Sequence, residues 1–332
     1  MSGARILIAL AGVAFAAIVA VPAGAERVTS AAEPRESSIF YYPWYSTPVR
    51  DGGWAHWYVE RQGEPPTLST RYFPRRGLYS SSNAKVVDAH MREIAEMGIG
   101  TVVVSWWGAD SPEERRLPLA ASAARRHGLE VAIHLEPYPG RTPASAAADV
   151  ARLSESGITD FYVYDADRDP AAAWAEALAD LDGVRLFGHT TLVGRAKAAG
   201  FDGVYTYDVG TWNGATFRRL CTQAHTVGLL CAPSVGPGYD ARLATRQTLV
   251  RPRLDGATYD RMWKAALRAN ADLVSITSYN EWQEGTQIEP ATIQVGRPGY
   301  DGAWGRRGLA AQRAYVEATA RWAARLRALA RQ

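Results

Sequence analysis

Past residue 21 the chain has no apolar run long enough to cross a bilayer, since a helical span needs roughly 20 apolar residues. No Gly-x-Gly-x-x-Gly follows its first predicted strand, so the main signature of a dinucleotide site is missing. The six histidines are scattered and no His-x-x-x-His pair occurs, which leaves zinc without a ligand set. Ca²⁺ held by carboxylates alone stays open. No serine stands in a Gly-x-Ser-x-Gly elbow, and neither cysteine has an obvious histidine partner, so serine and thiol hydrolysis lack their equipment. The formal charge of +3 is small, and basic residues are dispersed among acidic ones without forming a stripe. Nucleic acid is therefore not an expected partner. No cofactor and no metal is expected, and the chain reads as a monomer.

Arg5 is followed by an apolar stretch over residues 6–21, and Ala23-Gly24-Ala25 offers a small-residue cleavage site. This is the layout of a secretory signal peptide over residues 1–25. The expected product is secreted or periplasmic, with no membrane span once the segment is cleaved. An uncleaved N-terminal anchor is the alternative. Residues 26–38 are small, polar and charged and read as a linker, leaving residues 39–332 as one domain. Export makes a bond between Cys221 and Cys231 plausible, and the sequence leaves the pairing open.

Apolar, β-branched and aromatic runs recur at residues 39–42, 100–105, 130–135, 160–164, 184–188, 203–205, 228–231 and 273–277. Alanine-rich helical patterns separate them, at 83–97, 117–127, 143–156, 171–181, 191–199, 215–226 and 259–269, with a last one at 308–330. Gly98, Gly128 and Gly157 stand just past three of them, where helix ends favour glycine. Continuous apolar strands alternating with helices predict an α/β fold, a single (β/α)8 TIM barrel. A doubly wound open sheet is the alternative.

Barrel enzymes place their chemistry at the C-terminal ends of the strands, and the polar residues here follow the predicted strands. They include Trp44, Trp106, Trp107, His134, Glu136, Arg141, Tyr164, Asp165, His189, Tyr207, Asp208 and Tyr239. The last strand runs into Ser278-Tyr279-Asn280-Glu281-Trp282-Gln283-Glu284-Gly285. Glu281 and Glu284 lie three residues apart among aromatics and amides. Sugar sites combine such groups, because ring faces stack on aromatics and hydroxyls need amides and carboxylates. A carboxyl pair is also the usual equipment for cleaving a glycosidic bond. The competing readings are a surface turn for this segment, packing aromatics for Trp44, Trp106 and Trp107, and a core histidine for His134.

These blocks carry a family resemblance. Phe40-Tyr41-Tyr42-Pro43-Trp44-Tyr45, His56-Trp57, Trp106-Trp107-Gly108, His134-Leu135-Glu136-Pro137-Tyr138, Gly140-Arg141, Tyr205-Thr206-Tyr207, Pro233 through Tyr239 and Ser275 through Pro290 follow in order over most of the chain. Together they resemble the endo-α-1,2-mannosidase family, glycoside hydrolase family 99. The resemblance implies a (β/α)8 enzyme that cleaves α-mannosidic bonds within a chain and retains anomeric configuration. It assigns Glu281 as a base that deprotonates the 2-hydroxyl of the reacting mannose, whose oxygen attacks C1 to give a 1,2-anhydro sugar. It assigns Glu284 as the acid. Glu136 belongs by the same resemblance in the sugar pocket. Tyr207, His134, Trp57 and Trp107 are expected sugar contacts, with Tyr42, Arg141 and Tyr239 added from the matching blocks, and Asn280 orients the base or binds a hydroxyl.

The chain departs from the family pattern between Ser156 and Tyr164, where it passes almost directly from helix to strand, and again over residues 165–170. Residues 62–66, in the first long loop, have no legible role. The expected partner is an oligosaccharide or polysaccharide. A related retaining glycosidase acting on another envelope or capsular polysaccharide, and a barrel that binds carbohydrate without cleaving it, are the alternatives.

Overall fold

Eight parallel strands form the centre of the molecule, and a computed structural model describes residues 36–329. They are β1 (Glu36–Tyr41), β2 (Thr101–Trp106), β3 (Glu130–Leu135), β4 (Asp160–Val163), β5 (Arg185–His189), β6 (Gly203–Tyr205), β7 (Leu230–Ala232, continuing as Ser234–Val235) and β8 (Leu273–Ile276). Each pairs with its neighbour in chain order, and β1 pairs with both β2 and β8. The circuit closes through β7, which changes partner at Pro233. Its first half pairs with β6 and its second with β8. Proline has no N–H to give to a ladder, but its carbonyl accepts from Ser275 N at 3.2 Å. The chain is therefore a (β/α)8 TIM barrel. The seventh strand begins two residues later than the apolar pattern suggests and runs on past the proline.

Helices follow the strands: α1 (Ala84–Glu96), α2 (Pro112–Arg126), α3 (Pro143–Ser154), α4 (Ala171–Leu178), α5 (Val193–Ala198), α6 (Phe217–Thr226), α7 (Ala257–Arg268) and α8 (Ala314–Leu329). Asn83 and Ser111 accept backbone N–H groups at the starts of α1 and α2, and Thr142 forms a reciprocal capping box with Ser145 before α3. Such caps satisfy donors that the first turn leaves unpaired. The second helix starts five residues earlier than residue 117. Pro112 sits in its first turn, where no N–H is needed, and Pro118 forfeits a single helical bond. The last expected helix is divided, with a short turn Leu309–Gln312 before α8.

Residues 1–25, read as a signal peptide, lie outside the described residues, as does the linker to residue 35. Residues 36–38, read as the linker's end, already belong to β1. Residues 62–63 form the turn of a hairpin between Tyr58–Arg61 and Glu64–Leu68, and residues 64–66 open its second strand. Cys221 of α6 and Cys231 of β7 form a disulfide with Cα atoms 5.1 Å apart, bridging 10 residues. Closing a loop of that size stabilises by about 2–3 kcal/mol through the unfolded chain.

The barrel interior is aromatic. Phe40 lies 4.6 Å from His134, 5.5 Å from Tyr162 and 5.9 Å from Tyr205, ring centre to ring centre. Small hydroxyl residues fill the space beside them, with Ser234 and Ser275 bonded Oγ to Oγ at 2.7 Å.

Candidate active site

The loop after β8 is built to present two carboxyls. Ser278 Oγ accepts the N–H of Glu281 at 2.9 Å, and the backbone closes on itself through Ser278 N to Thr286 O at 3.0 Å. Trp282 turns inward, fully buried, and donates its indole N–H to Glu289 at 2.8 Å. Glu289 is itself fully buried and also accepts the Tyr79 hydroxyl at 2.8 Å, with a His90 ring nitrogen 3.0 Å away. Residues Trp282–Glu284 form one 3₁₀ turn, ended by Gly285 at φ +66°. Side chains three apart eclipse in a 3₁₀ turn. Glu281 and Glu284 therefore share a face while the tryptophan between them anchors the loop.

Glu281 faces a donor from across the barrel mouth. Tyr207, just past β6, donates its hydroxyl to Glu281 Oε2 at 2.5 Å, and the Tyr42 hydroxyl bonds that of Tyr207 in turn. Tyr207 adopts φ +36°, a conformation that costs a residue with a side chain on the order of 1–3 kcal/mol. Two bonds hold it there, Tyr207 N to Ser234 Oγ at 2.9 Å and Thr277 Oγ1 to Tyr207 O at 3.1 Å. Burial, and then the charges of the carboxylates, keep both phenols protonated far above neutrality.

Four carboxyls converge here. Burial and the neighbouring Glu284 push Glu281 well above the ordinary carboxylate range, and the Tyr207 bond opposes them. Burial, then the charges of Asp208 and Glu136, push Glu284 up to about 8. Two such groups titrate as a pair. The tyrosine donor favours charge on Glu281 and so leaves the proton to Glu284. Glu136 is fixed after β3 by Ser105 Oγ at 2.8 Å, with His134 Nδ1 2.9 Å from the same oxygen. Asp208 is held by the Tyr164 hydroxyl and by His189 Nε2, both at 3.1 Å. The sequence places Asp208 on the rim but gives no sign that it charges Glu284. That follows from the approach of the sixth strand to the eighth.

The other expected sugar contacts divide. Trp107 and Tyr239 are half-buried and keep surface. Five others are buried and bonded within the protein. Trp57 is fully buried, donates to Tyr79 O at 2.7 Å and stacks on Tyr45 at 4.1 Å, so it is core. Asn280 accepts from Tyr42 N at 2.8 Å and donates to Tyr42 O at 3.0 Å and to the Tyr79 hydroxyl at 3.3 Å, which is the orienting role among its two expected ones. Arg141 donates to Leu135 O at 3.0 Å and Asp165 O at 3.3 Å, tying together two loops. His134, 1% exposed, bonds the Tyr205 oxygen at 2.9 Å and lies under Tyr207 at 5.1 Å. Tyr42, also 1% exposed, acts through Tyr207. Trp106 is core as well, and Trp44 stacks on His56 at 4.4 Å.

Among the described residues no cluster of three or more His, Cys, Asp or Glu side chains is arranged to hold a metal ion, and no helix is long and apolar enough to cross a membrane. The arrangement is a carboxyl pair of unequal protonation beside two further fixed acceptors, Glu136 and Asp208, suited to transferring a proton to one oxygen while drawing one from another.

The profile of Glycosyl hydrolase family 99 matches residues 35–328. A glycoprotein endo-alpha-1,2-mannosidase-like protein of Danio rerio is 32% identical, over 76% of this chain and 70% of its own length. A glycoprotein endo-alpha-1,2-mannosidase of Mus musculus is 29% identical, over 76% and 67%. The structure of the GH99 endo-alpha-mannosidase from Bacteroides thetaiotaomicron superposes with a TM-score of 0.80 at 28% identity, covering 90% of this chain and 98% of that one.

Proposed function

The chain belongs to glycosyl hydrolase family 99 and is a glycoside hydrolase, and from that premise we propose that it is a retaining, endo-acting α-mannosidase that cleaves internal α-1,2-mannosidic bonds of mannan or glycan chains. The observation that carries this reading is the pairing of Glu281, held by the Tyr42–Tyr207 hydroxyl chain, with Glu284, raised to about 8.

In an α-mannoside the oxygens on C1 and C2 are trans and diaxial. The 2-oxygen therefore lies on the face of C1 opposite the leaving group and can displace it directly. Glu281 takes the proton of the 2-hydroxyl, and the freed electron pair forms the O2–C1 bond. As the C1–O1 bond breaks, Glu284 gives its proton to the departing oxygen. The product is a 1,2-anhydro sugar and a shortened chain. Glu284, now ionised, takes a proton from water as that water attacks C1. The O2–C1 bond opens and Glu281 returns the proton to O2. Two inversions at C1 give net retention.

Tyr207 sets the base's basicity, and Glu136 and Asp208 accept sugar hydroxyls while keeping the acid protonated. Trp107 and Tyr239 offer ring surface to the bound sugar. Incubation with α-1,2-linked mannan oligosaccharides tests the proposal. Release of internal fragments with retained configuration is expected. Single mannoses released from chain ends, or no turnover of any α-mannan by a folded protein, reject it.

A further inference from the structure

Outside the carboxyl cluster the charge reverses. A groove of about 310 Å³ is lined by Tyr239, Asp240, Arg242 and Gly285 among others, and a second of about 600 Å³ continues from it past Arg297. Arg71 and Arg242 line both. Together the two grooves carry Arg71, Arg242, Arg251, Arg253 and Arg297, and among the described residues Asp240 is the single acidic side chain lining them. The volumes fall within the range of small-molecule sites.

The arrangement of the charges matters more than their number. Asp240 Oδ2 meets Arg71 Nη1 at 2.8 Å and Arg242 Nη2 at 2.8 Å, while Oδ1 meets Arg242 Nε at 2.8 Å. One carboxylate thus aligns two guanidinium groups and neutralises only one of them. Both arginines stay open to solvent, with side chains 43% and 48% exposed. Arg251 and Arg253 donate inward to backbone carbonyls, which fixes positive charge behind them.

The groove is joined to the catalytic loop. A Cβ on Gly285 would stand 3.2 Å from Asp240 N, so the backbone of the aspartate that aligns the arginine pair rests against the residue next to Glu284. Burial, and then the charges of Glu284 and Glu281, raise the Tyr239 hydroxyl, which places it near both carboxyls. Inside, Glu136, Asp208, Glu281 and Glu284 repel an anion. This rim welcomes one beside the loop of the acid, and hence on the side of the leaving group.

We infer that the Arg71–Arg242 pair, aligned by Asp240, is a subsite for a phosphate group carried on the leaving-group side of the glycan, so that the substrate is a phosphorylated mannoside chain. This rests on the roles proposed for Glu281 and Glu284. Guanidinium forks match phosphate oxygens in pairs, and a group held there adds affinity without entering the carboxyl cluster.

The test uses the full chain with Glu284→Gln, which binds without cleaving. The probes are an α-mannobiose phosphorylated on its reducing-end sugar, the same disaccharide unmodified, a uronate-bearing analogue and inorganic phosphate. Calorimetry should show the phosphorylated disaccharide bound about tenfold more tightly than the neutral one at low salt. Adding Arg71→Gln and Arg242→Gln should abolish that difference and leave neutral binding unchanged. Equal binding of the two disaccharides overturns the inference. So does a uronate bound as tightly as the phosphate, an advantage that survives both arginine changes, or inorganic phosphate alone matching the phosphorylated sugar. Cleavage of neutral α-mannan by the unmodified protein, measured separately, distinguishes failure of this subsite from failure of the mannosidase reading.

Discussion

Tyr207 donates its hydroxyl to Glu281 Oε2 at 2.5 Å, from the end of the sixth strand to the loop after the eighth. The bond favours the ionised carboxylate against burial and the charge of Glu284, which push the other way. Tyr207→Phe therefore raises the Glu281 pKa further. A base must be ionised, so the acidic limb of kcat/KM should move to higher pH, and the rate at neutral pH should fall about 10–100-fold. An unshifted limb would remove Tyr207 from the base's support.

Glu284→Gln removes the acid. Turnover of α-mannan should drop by about 10²–10⁴-fold. An aryl mannoside with a good leaving group needs little protonation and should lose less in the cleavage step. Equal losses for both substrates, with cleavage rate-limiting, would count against Glu284 as acid.

Asp208 and Glu136 raise Glu284 by their charge. Asp208→Asn takes one charge away and lowers the Glu284 pKa from about 8. The acid form is then lost sooner as pH rises, and the alkaline limb should move to lower pH. A pH–rate profile of the variant checks this.

The same shift has a cost in stability. Glu284 has a folded pKa of about 8, above its unfolded value, so the folded state binds the proton more tightly than the unfolded one. The penalty is absent below pH about 4, grows as pH rises, and is complete above about 8. Glu284→Gln should raise Tm at pH 8 by a few degrees, about 2–4 °C per kcal/mol, and leave it unchanged at pH 4. Thermal melts at the two pH values measure the difference.

A 2-deoxy substrate lacks the oxygen that attacks C1, and should bind yet barely turn over although its glycosidic bond is more labile. A 2-fluoro mannosyl reagent should leave no adduct. A covalent ester on Glu281, detected by mass spectrometry, would replace the anhydro-sugar route with direct attack.

Much of this was legible along the chain. The alternation of apolar runs and alanine-rich helices predicts the barrel, because a strand buried on both faces must be apolar throughout and each crossover must bury a helix face. The spacing of Glu281 and Glu284 marks the carboxyl pair, since residue type and interval are local properties. Trp57, Asn280, Arg141, His134 and Tyr42 show the limit of such reading. Aromatics, amides and arginines serve sugars and loops equally well. Which they serve depends on what stands opposite, and here that is Tyr79 O for Trp57, the Tyr42 backbone for Asn280 and two loop carbonyls for Arg141. The bond from Tyr207 to Glu281 spans 74 positions and the Arg71–Asp240 pair spans 169. The sequence by itself determined the elements, their order and the carboxyl pair, because hydrophobic periodicity and short spacings act over a few residues. Only the tertiary structure decided which carboxyl holds the proton and where the rim turns positive, because electrostatic interaction depends on distance through space and burial, and both exist only once the barrel has closed.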